Sequence, residues 1–140
     1  MAQTYRLTRP RRLINVVMRR LVLLGLGGRH TYLLTVQGRK TGRPHSTPVT
    51  LIEDGGRWLV APYGEVGWVR NARVTGSVTL RRGRRSDTVH LEQVGPVEAA
   101  PVLREYVRQV AVTRPFFDAG VDSPLEAFES EAPRHPVFRI

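Results

Sequence analysis

The stretch that decides the fold is Val36–Val49, which reads VQGRKTGRPHSTPV. Apolar residues alternate with polar ones on both sides of it, which predicts two strands joined by a turn. The turn is bounded by Gly38 and Gly42 and contains the cations Arg39, Lys40 and Arg43. Flexible glycines can expose backbone N–H groups, and these would hold an anion together with the cations. The stretch therefore predicts a phosphate site, although an ordinary solvent-exposed hairpin tip would show the same residues.

Composition narrows the classes of protein that are possible. A chain of 140 residues with 41% hydrophobic residues predicts one folded domain over residues 1–140. The absence of cysteine excludes disulfides and thiolate metal sites, and the four histidines lack ligand spacing, so no metal site is predicted. The net charge of +10 predicts an anionic partner, which could be nucleic acid, an acidic membrane surface or a multiply charged small molecule.

Residues 1–28 are predicted to form a basic arm followed by an amphipathic helix. Leu13–Leu26 has apolar residues at helical spacing, interrupted by Arg19 and Arg20. This apolar run is shorter than the ~20 residues needed to cross a bilayer, and no signal-peptide cleavage site follows it. We expect the helix to pack on the domain of a cytoplasmic protein. Peripheral attachment to an acidic membrane is the alternative.

The remaining pattern predicts an α+β fold of mainly antiparallel strands. The predicted strands are Thr31–Val36, Thr47–Leu51, Arg57–Pro62, Ser77–Arg81, Ser86–Val94 and Pro136–Ile140. Two helices are predicted at Trp68–Thr75 and Val97–Val110, and the segment Thr113–Pro133 is mixed. Short turns between successive strands favour a small barrel over a doubly wound sheet, which would need crossover helices.

Familiar nucleotide motifs are absent. The glycines at 25, 27 and 28 follow a helix rather than a strand, and Gly38–Gly42 is too short for a Walker A loop. The arginine cluster Arg81–Arg85 has no aromatic residues among its cations to stack on bases, so it predicts a solvated hairpin tip and no nucleic-acid partner.

Three motifs in order resemble a known family. GRKTGRPHSTPV, followed by VAPYG and WVRNAR, is similar to the deazaflavin (F420)-dependent nitroreductases of the split β-barrel flavin-binding superfamily, over Leu33–Leu80. The resemblance implies a split β-barrel that binds reduced F420 and passes a hydride to a small electron-poor acceptor such as a quinone, an enone or a nitro compound. FMN is the alternative cofactor, and split-barrel relatives often dimerise. The alternative functions are a non-catalytic carrier of F420, flavin or lipid and, less favoured, a basic nucleic-acid-binding domain.

The resemblance also implies roles for residues of this chain. F420 carries a phosphodiester and an oligoglutamate tail, and the residues implied to bind the cofactor are Arg39, Lys40, Thr41, Gly42, His45, Ser46, Thr47, Pro48, Val49, Ala61, Pro62, Tyr63, Gly64, Trp68 and Asn71. Those from Arg39 to Thr41 would clamp the phosphate. His45 stands where many relatives have a basic residue. A core role is the alternative for Trp68.

The chemistry itself is expected from the cofactor. Tyr63 is the candidate catalytic residue, which would hydrogen-bond the acceptor or donate its proton, in a substrate pocket lined by Phe116 and Phe117. Nitro-reducing relatives often place tyrosines in the segment that corresponds to Thr113–Pro133, which has none here. Nitroimidazole-type substrates are therefore not expected.

Overall fold

The computed structural model describes residues 30–140, which form parts of two compact units. The first comprises residues 30–51 and 67–91 and is called the basic unit, because it has nine arginines and lysines against one carboxylate, Asp87. The second comprises residues 52–66 and 92–140 and is called the acidic unit, because it has eleven carboxylates against six arginines. The surplus positive charge of the described residues thus lies wholly in the basic unit.

Seven strands and three α-helices make up the regular structure of residues 30–140. The strands are β1 Thr31–Gln37, β2 Pro44–Glu53, β3 Arg57–Val60, β4 Ser77–Arg82, β5 Arg85–His90, β6 Glu92–Gln93 and β7 Val137–Arg139. The helices are α1 Gly67–Thr75, α2 Pro96–Gln109 and α3 Leu125–Glu131, with 3-10 turns at Ala111–Phe116 and Ala132–Arg134. This confirms the predicted α+β class with antiparallel strands.

The basic unit is a sheet with strand order β5-β4-β1-β2 and α1 packed on β1 and β4. β1 and β2 form a hairpin whose register runs from Thr31↔Thr50 to Gln37↔Pro44, so the Gly38–Arg43 turn closes it. Its core is apolar and closed to solvent, with Leu34 and Leu51 fully buried. α1 ends at Thr75: the Gly76 N–H still donates to the Ala72 carbonyl at 2.7 Å, and the positive φ of 74° at Gly76 then turns the chain out of the helix.

The acidic unit pairs three strands and packs helices beside them. β7 lies between β3 and β6, with Leu59↔Phe138 and Gln93↔Phe138 in register. α2 begins with Pro96, where the missing N–H costs no helical hydrogen bond, and packs against α3. The core between them is filled by Leu103, Phe128 and neighbouring apolar side chains.

The structure corrects several predicted bounds. The single strand predicted at Ser86–Val94 is wrong: β5 ends at His90 because its partner β4 begins at the opposite residue, Ser77, and β6 pairs with β7 instead. The third and last strands are shorter than predicted, and the mixed segment holds a 3-10 turn and α3. The predicted helix Leu13–Leu26 lies outside the described residues, and the single domain stays a prediction.

Candidate functional site

The Gly38–Arg43 turn is a closed loop rather than an open hairpin tip. The Gly38 N–H donates to the Arg43 carbonyl at 2.8 Å, and the Gly42 N–H donates to the Gly38 carbonyl at 2.9 Å. Gly42 has a φ of 73°, which favours glycine there. The Arg43 N–H reaches the Thr41 hydroxyl at 3.3 Å. The N–H groups of Gly38, Gly42 and Arg43 therefore donate inside the turn, so anion recognition falls mainly on the exposed side chains.

Asn71 connects this turn to α1. Its Oδ1 accepts hydrogen bonds from the Arg39 backbone N–H at 3.1 Å and from Arg39 Nη1 at 2.8 Å. Asn71 is only 6% exposed, whereas Arg39 lies at the surface. Two residues predicted to bind the cofactor thus contact each other. Asn71 acts here as the anchor of the turn.

The cations of the turn are not neutralised by carboxylates of the described chain. Within residues 30–140, no carboxylate oxygen lies within 4.0 Å of the charged nitrogens of Arg39, Lys40 or Arg43, whereas ion pairs do form in the acidic unit. Three exposed like charges on a six-residue turn repel one another, and a bound anion relieves that repulsion.

His45 lies at the base of the turn. A Cβ added to Gly38 would lie 2.9 Å from His45 Nε2 and 3.1 Å from the Arg43 carbonyl oxygen, so a side chain at position 38 would displace the His45 ring and crowd that carbonyl. Further along β2, the Ser46 and Thr35 hydroxyls are 2.8 Å apart across the hairpin. Pro48 lies opposite Leu33 on the same ladder. β2 therefore presents the predicted cofactor residues in an ordered register.

Of the other predicted cofactor residues of the basic unit, Thr47 is half-buried opposite Leu34, and Val49 is buried opposite Tyr32. Trp68 is half-buried near the start of α1.

A second turn, Ala61–Gly64, lies in the acidic unit and carries Tyr63. The Ala61 N–H donates to the Pro136 carbonyl at 2.8 Å, and the Gly64 N–H donates to the Ala61 carbonyl at 3.3 Å. Gly64 has a φ of 86°, and a Cβ there would lie 3.2 Å from the Arg134 carbonyl oxygen. The turn is thus held closely along residues 134–136.

The predicted pocket residues Phe116 and Phe117 are both buried in the core of the acidic unit. Phe116 meets the half-buried Tyr63 edge to face, with ring centroids 4.9 Å apart and planes at 78°. Phe117 instead stacks on His135, with centroids 3.9 Å apart and planes at 19°. Phe116 can orient Tyr63, whereas Phe117 supports the residues behind the turn.

Sequence reasoning missed a buried pair beside this turn, Glu131 and His135. His135 Nδ1 lies 2.8 Å from the Pro62 carbonyl oxygen, and its Nε2 lies 2.9 Å from Glu131 Oε1. The Glu131 carboxylate also accepts hydrogen bonds from the N–H groups of Asp118 and Ala119, at 2.7 and 2.9 Å. The four-residue spacing of Glu131 and His135 was the signal available, since it places both side chains on one side of a helical turn.

Tyr106 is a buried phenol near this second turn. Burial raises the pKa of Tyr106, and its neighbour Tyr63 raises that pKa further. Tyr106 therefore stays protonated at any physiological pH.

Between residues 30 and 140, no group of three or more potential metal ligands is found. No helix in that range is long and apolar enough to cross a membrane.

Solved structures resemble the chain in fold. A protein of unknown function from Agrobacterium tumefaciens is 16% identical over 99% of this chain, with a TM-score of 0.59, and the chain spans 58% of that protein's length. An FAD-binding protein from Mesorhizobium loti is 15% identical, covering 89% of this chain and 86% of its own, with a TM-score of 0.48. An F420-H2 dependent reductase is 19% identical, covering 79% of this chain and 93% of its own, with a TM-score of 0.46. The first of these likenesses shows a shared fold alone.

A family model decides the assignment. None of the curated proteins compared with the chain matches it. Residues 11–128 match the model of the F420H(2)-dependent quinone reductases. This match covers both turns described above and most of the chain. This confirms the resemblance to F420-dependent reductases that the motifs indicated. The chain belongs to the F420H(2)-dependent quinone reductase family.

Proposed function

We propose that this protein transfers a hydride from reduced F420 to a small electron-poor organic acceptor. The observation that carries the proposal is the family match over residues 11–128. In the balanced reaction, one hydride, which carries both electrons, and one proton would pass from the reduced cofactor to the acceptor. A quinone acceptor takes up both and becomes a hydroquinone. An enone would add the same hydride and proton across its C=C bond, and a nitro compound would become a nitroso compound with release of water.

The charge distribution supports F420 as the cofactor. Its phosphodiester and glutamate tail form a polyanion, and the basic unit offers nine cations against one carboxylate. We assign Lys40 and Arg43 to the phosphate, with Arg39 contributing the part of its guanidinium that Asn71 does not engage. Cations scattered over a surface would attract any anion. Cations held on one ordered turn, without neighbouring carboxylates, suit a bound phosphate.

When bound, F420H2 supplies the hydride, and the protein supplies position and electrostatics. Tyr63 would hydrogen-bond the acceptor or donate the proton, because its phenol is the titratable group that the Ala61–Gly64 turn carries. The edge-on contact with Phe116 restricts the Tyr63 ring to a narrow range of orientations. Tyr63→Phe keeps that ring contact and removes only the hydroxyl.

The test is oxidation of F420H2 by the purified protein with a quinone, an enone and a nitroaromatic compound as acceptors. The proposal expects turnover with at least one of them, and a loss of about 10²-fold or more in kcat for Tyr63→Phe if the phenol donates the proton. Tyr32→Phe is the matched control, since it removes a phenol from the basic unit. Binding of F420 without turnover would make the protein a carrier. Full activity of Tyr63→Phe would remove Tyr63 from the mechanism.

The quaternary and membrane expectations accompany this proposal. Dimerisation is tested by sedimentation of the purified protein. Peripheral attachment is tested by co-sedimentation of the full chain and of a form lacking residues 1–28 with acidic vesicles, because Leu13–Leu26 carries the amphipathic pattern.

A further inference from the structure

We infer that Glu131 and His135 are positioning residues, which set the geometry of the Ala61–Gly64 turn and through it the placement of Tyr63. The catalytic part of this inference rests on the proposed function, whereas the positional part does not. Both parts concern a buried polar cluster, which the hydride transfer itself does not require.

Glu131 is the centre of the cluster. It is 2% exposed and lies at the end of α3. Its two carboxylate oxygens accept hydrogen bonds from the N–H groups of Asp118 and Ala119, and one of them also faces His135 Nε2. The Asp118–Ala119 segment directly follows Phe117 in the chain. One carboxylate therefore ties the phenylalanine segment to the residues that run beside the turn.

The hydrogen-bond roles of His135 follow from its partners. A backbone carbonyl can only accept, so Nδ1 carries a proton and donates it to Pro62. One further proton must then lie between Nε2 and Glu131 Oε1. On Nε2 it makes His135 an imidazolium beside a carboxylate, and on Oε1 it leaves both groups neutral. Both states keep Nδ1 as a donor, so the bond to the turn persists in either case.

Other charged groups face the cluster from one side. Arg134 Nη2 lies 3.7 Å from Glu131 Oε1 and 2.9 Å from the Asp118 carboxylate. The Arg134 side chain is 53% exposed, so solvent weakens this interaction. Among the titratable and charged side chains of this cluster, the buried His135 therefore makes the direct hydrogen bond to the turn.

Stability alone does not account for burying this pair. An apolar pair of similar volume often serves a core equally well or better, whereas directional bonds fix one arrangement. Two hydrogen bonds reach this turn from adjacent residues: the Pro136 carbonyl accepts from the Ala61 N–H, and His135 donates to the Pro62 carbonyl. The Arg134 carbonyl also lies close to Gly64, since a Cβ added there would be 3.2 Å from it. The stacked ring of Phe117 holds the imidazole in the plane that this donation needs.

Two substitutions at one position separate the two bonds of the imidazole. In His135→Asn the amide nitrogen replaces Nδ1 and can still donate to Pro62, whereas in His135→Gln it replaces Nε2 and can only reach Glu131. Both lose the stacked ring equally, so each is the control for the other. Arg108→Ala, which removes an exposed ion pair with Glu105, controls for charge changes in the acidic unit.

The readouts are amide exchange at Tyr63 and Gly64 and the kcat/KM of F420H2 oxidation. We expect His135→Gln to speed exchange at both amides and to lower kcat/KM, each about tenfold, because a buried hydrogen bond is lost. His135→Asn should stay within about twofold of the parent for both. Equal effects of the two variants would overturn the inference and leave a packing role for the ring.

Two further results keep the tests distinct. If the parent protein does not oxidise F420H2, the proposed function fails, while the exchange comparison still decides the positional role. If neither variant folds, nitrogen NMR of the parent decides, because the inference requires a proton on His135 Nδ1. An unprotonated Nδ1 would contradict it.

Discussion

Replacing Asn71 tests how the phosphate turn is held. Asn71→Ala removes the one oxygen that accepts both the Arg39 N–H and the Arg39 guanidinium. A hydrogen bond to a charged group contributes about 1.5–3 kcal/mol and a neutral one about 1 kcal/mol, but water can replace part of both at the exposed Arg39. We therefore expect a loss of about 2 kcal/mol in the free energy of unfolding. For a chain of this size that corresponds to a fall in Tm of about 7 °C.

Asn71→Asp is the matched control, because a carboxylate keeps the acceptor and adds a negative charge beside Arg39. Its unfolding free energy should fall less than that of Asn71→Ala, because pairing with Arg39 offsets part of the cost of burying a carboxylate. Its affinity for F420 should nevertheless fall about tenfold, since the new charge opposes the phosphate. Asn71→Ala should lose both stability and affinity.

The assays are thermal unfolding without ligand and titration with F420. An Asn71→Ala protein as stable as the parent would refute the anchoring role. An Asn71→Asp protein with undiminished F420 affinity would refute the electrostatic reasoning for this turn.

Two further substitutions test the acidic unit and the backbone. Gly64→Ala should lower the free energy of unfolding by about 2 kcal/mol or more, because position 64 combines a φ of 86° with a close carbonyl. Gly76→Ala should lower it by only about 1 kcal/mol, because position 76 has a φ of 74° but open space around it. Urea unfolding measures both losses, and equal losses would contradict this reasoning. In the unfolded chain the Tyr106 phenol has its ordinary pKa of 10.0, whereas burial raises the pKa of Tyr106 in the folded protein. The free energy of unfolding should therefore be constant with respect to this group below pH 10 and should fall by about 1.4 kcal/mol per pH unit above it. Tyr106→Phe should lessen that alkaline slope in urea unfolding; an unchanged slope would refute it.

Local patterns were sufficient to predict most elements of the fold. The hairpin around Gly38–Arg43 followed from alternating apolar residues and glycine, and α1 followed from helical spacing that ends at Gly76. The split between β5 and β6 could not be predicted, because it depends on where β4 begins and on pairing with β7, which lies more than 40 residues further along the chain. Long-range pairing leaves no local signal.

The candidate site was predictable where chemistry and motif coincide. The cations of the turn were identified from sequence, but the anchoring of Arg39 by Asn71 was not, since it joins residues 32 positions apart. The spacing of Glu131 and His135 could be read from the sequence, but the role of this pair could not. Its partners Pro62, Asp118 and Ala119 lie on other segments, and only the folded chain brings them to one carboxylate and one imidazole.

The most direct test of the central claim is a titration of the purified protein with F420 and, in parallel, with FMN. We predict that F420 binds more tightly, and that Lys40→Ala weakens F420 binding at least about tenfold while leaving Tm unchanged, because Lys40 is exposed and charge-assisted contacts to phosphate are strong. Arg84→Ala, at the exposed tip of the β4–β5 hairpin, is the control and should change F420 affinity little. Preference for FMN, or equal effects of the two substitutions, would contradict the assignment of the Gly38–Arg43 turn to the F420 phosphate.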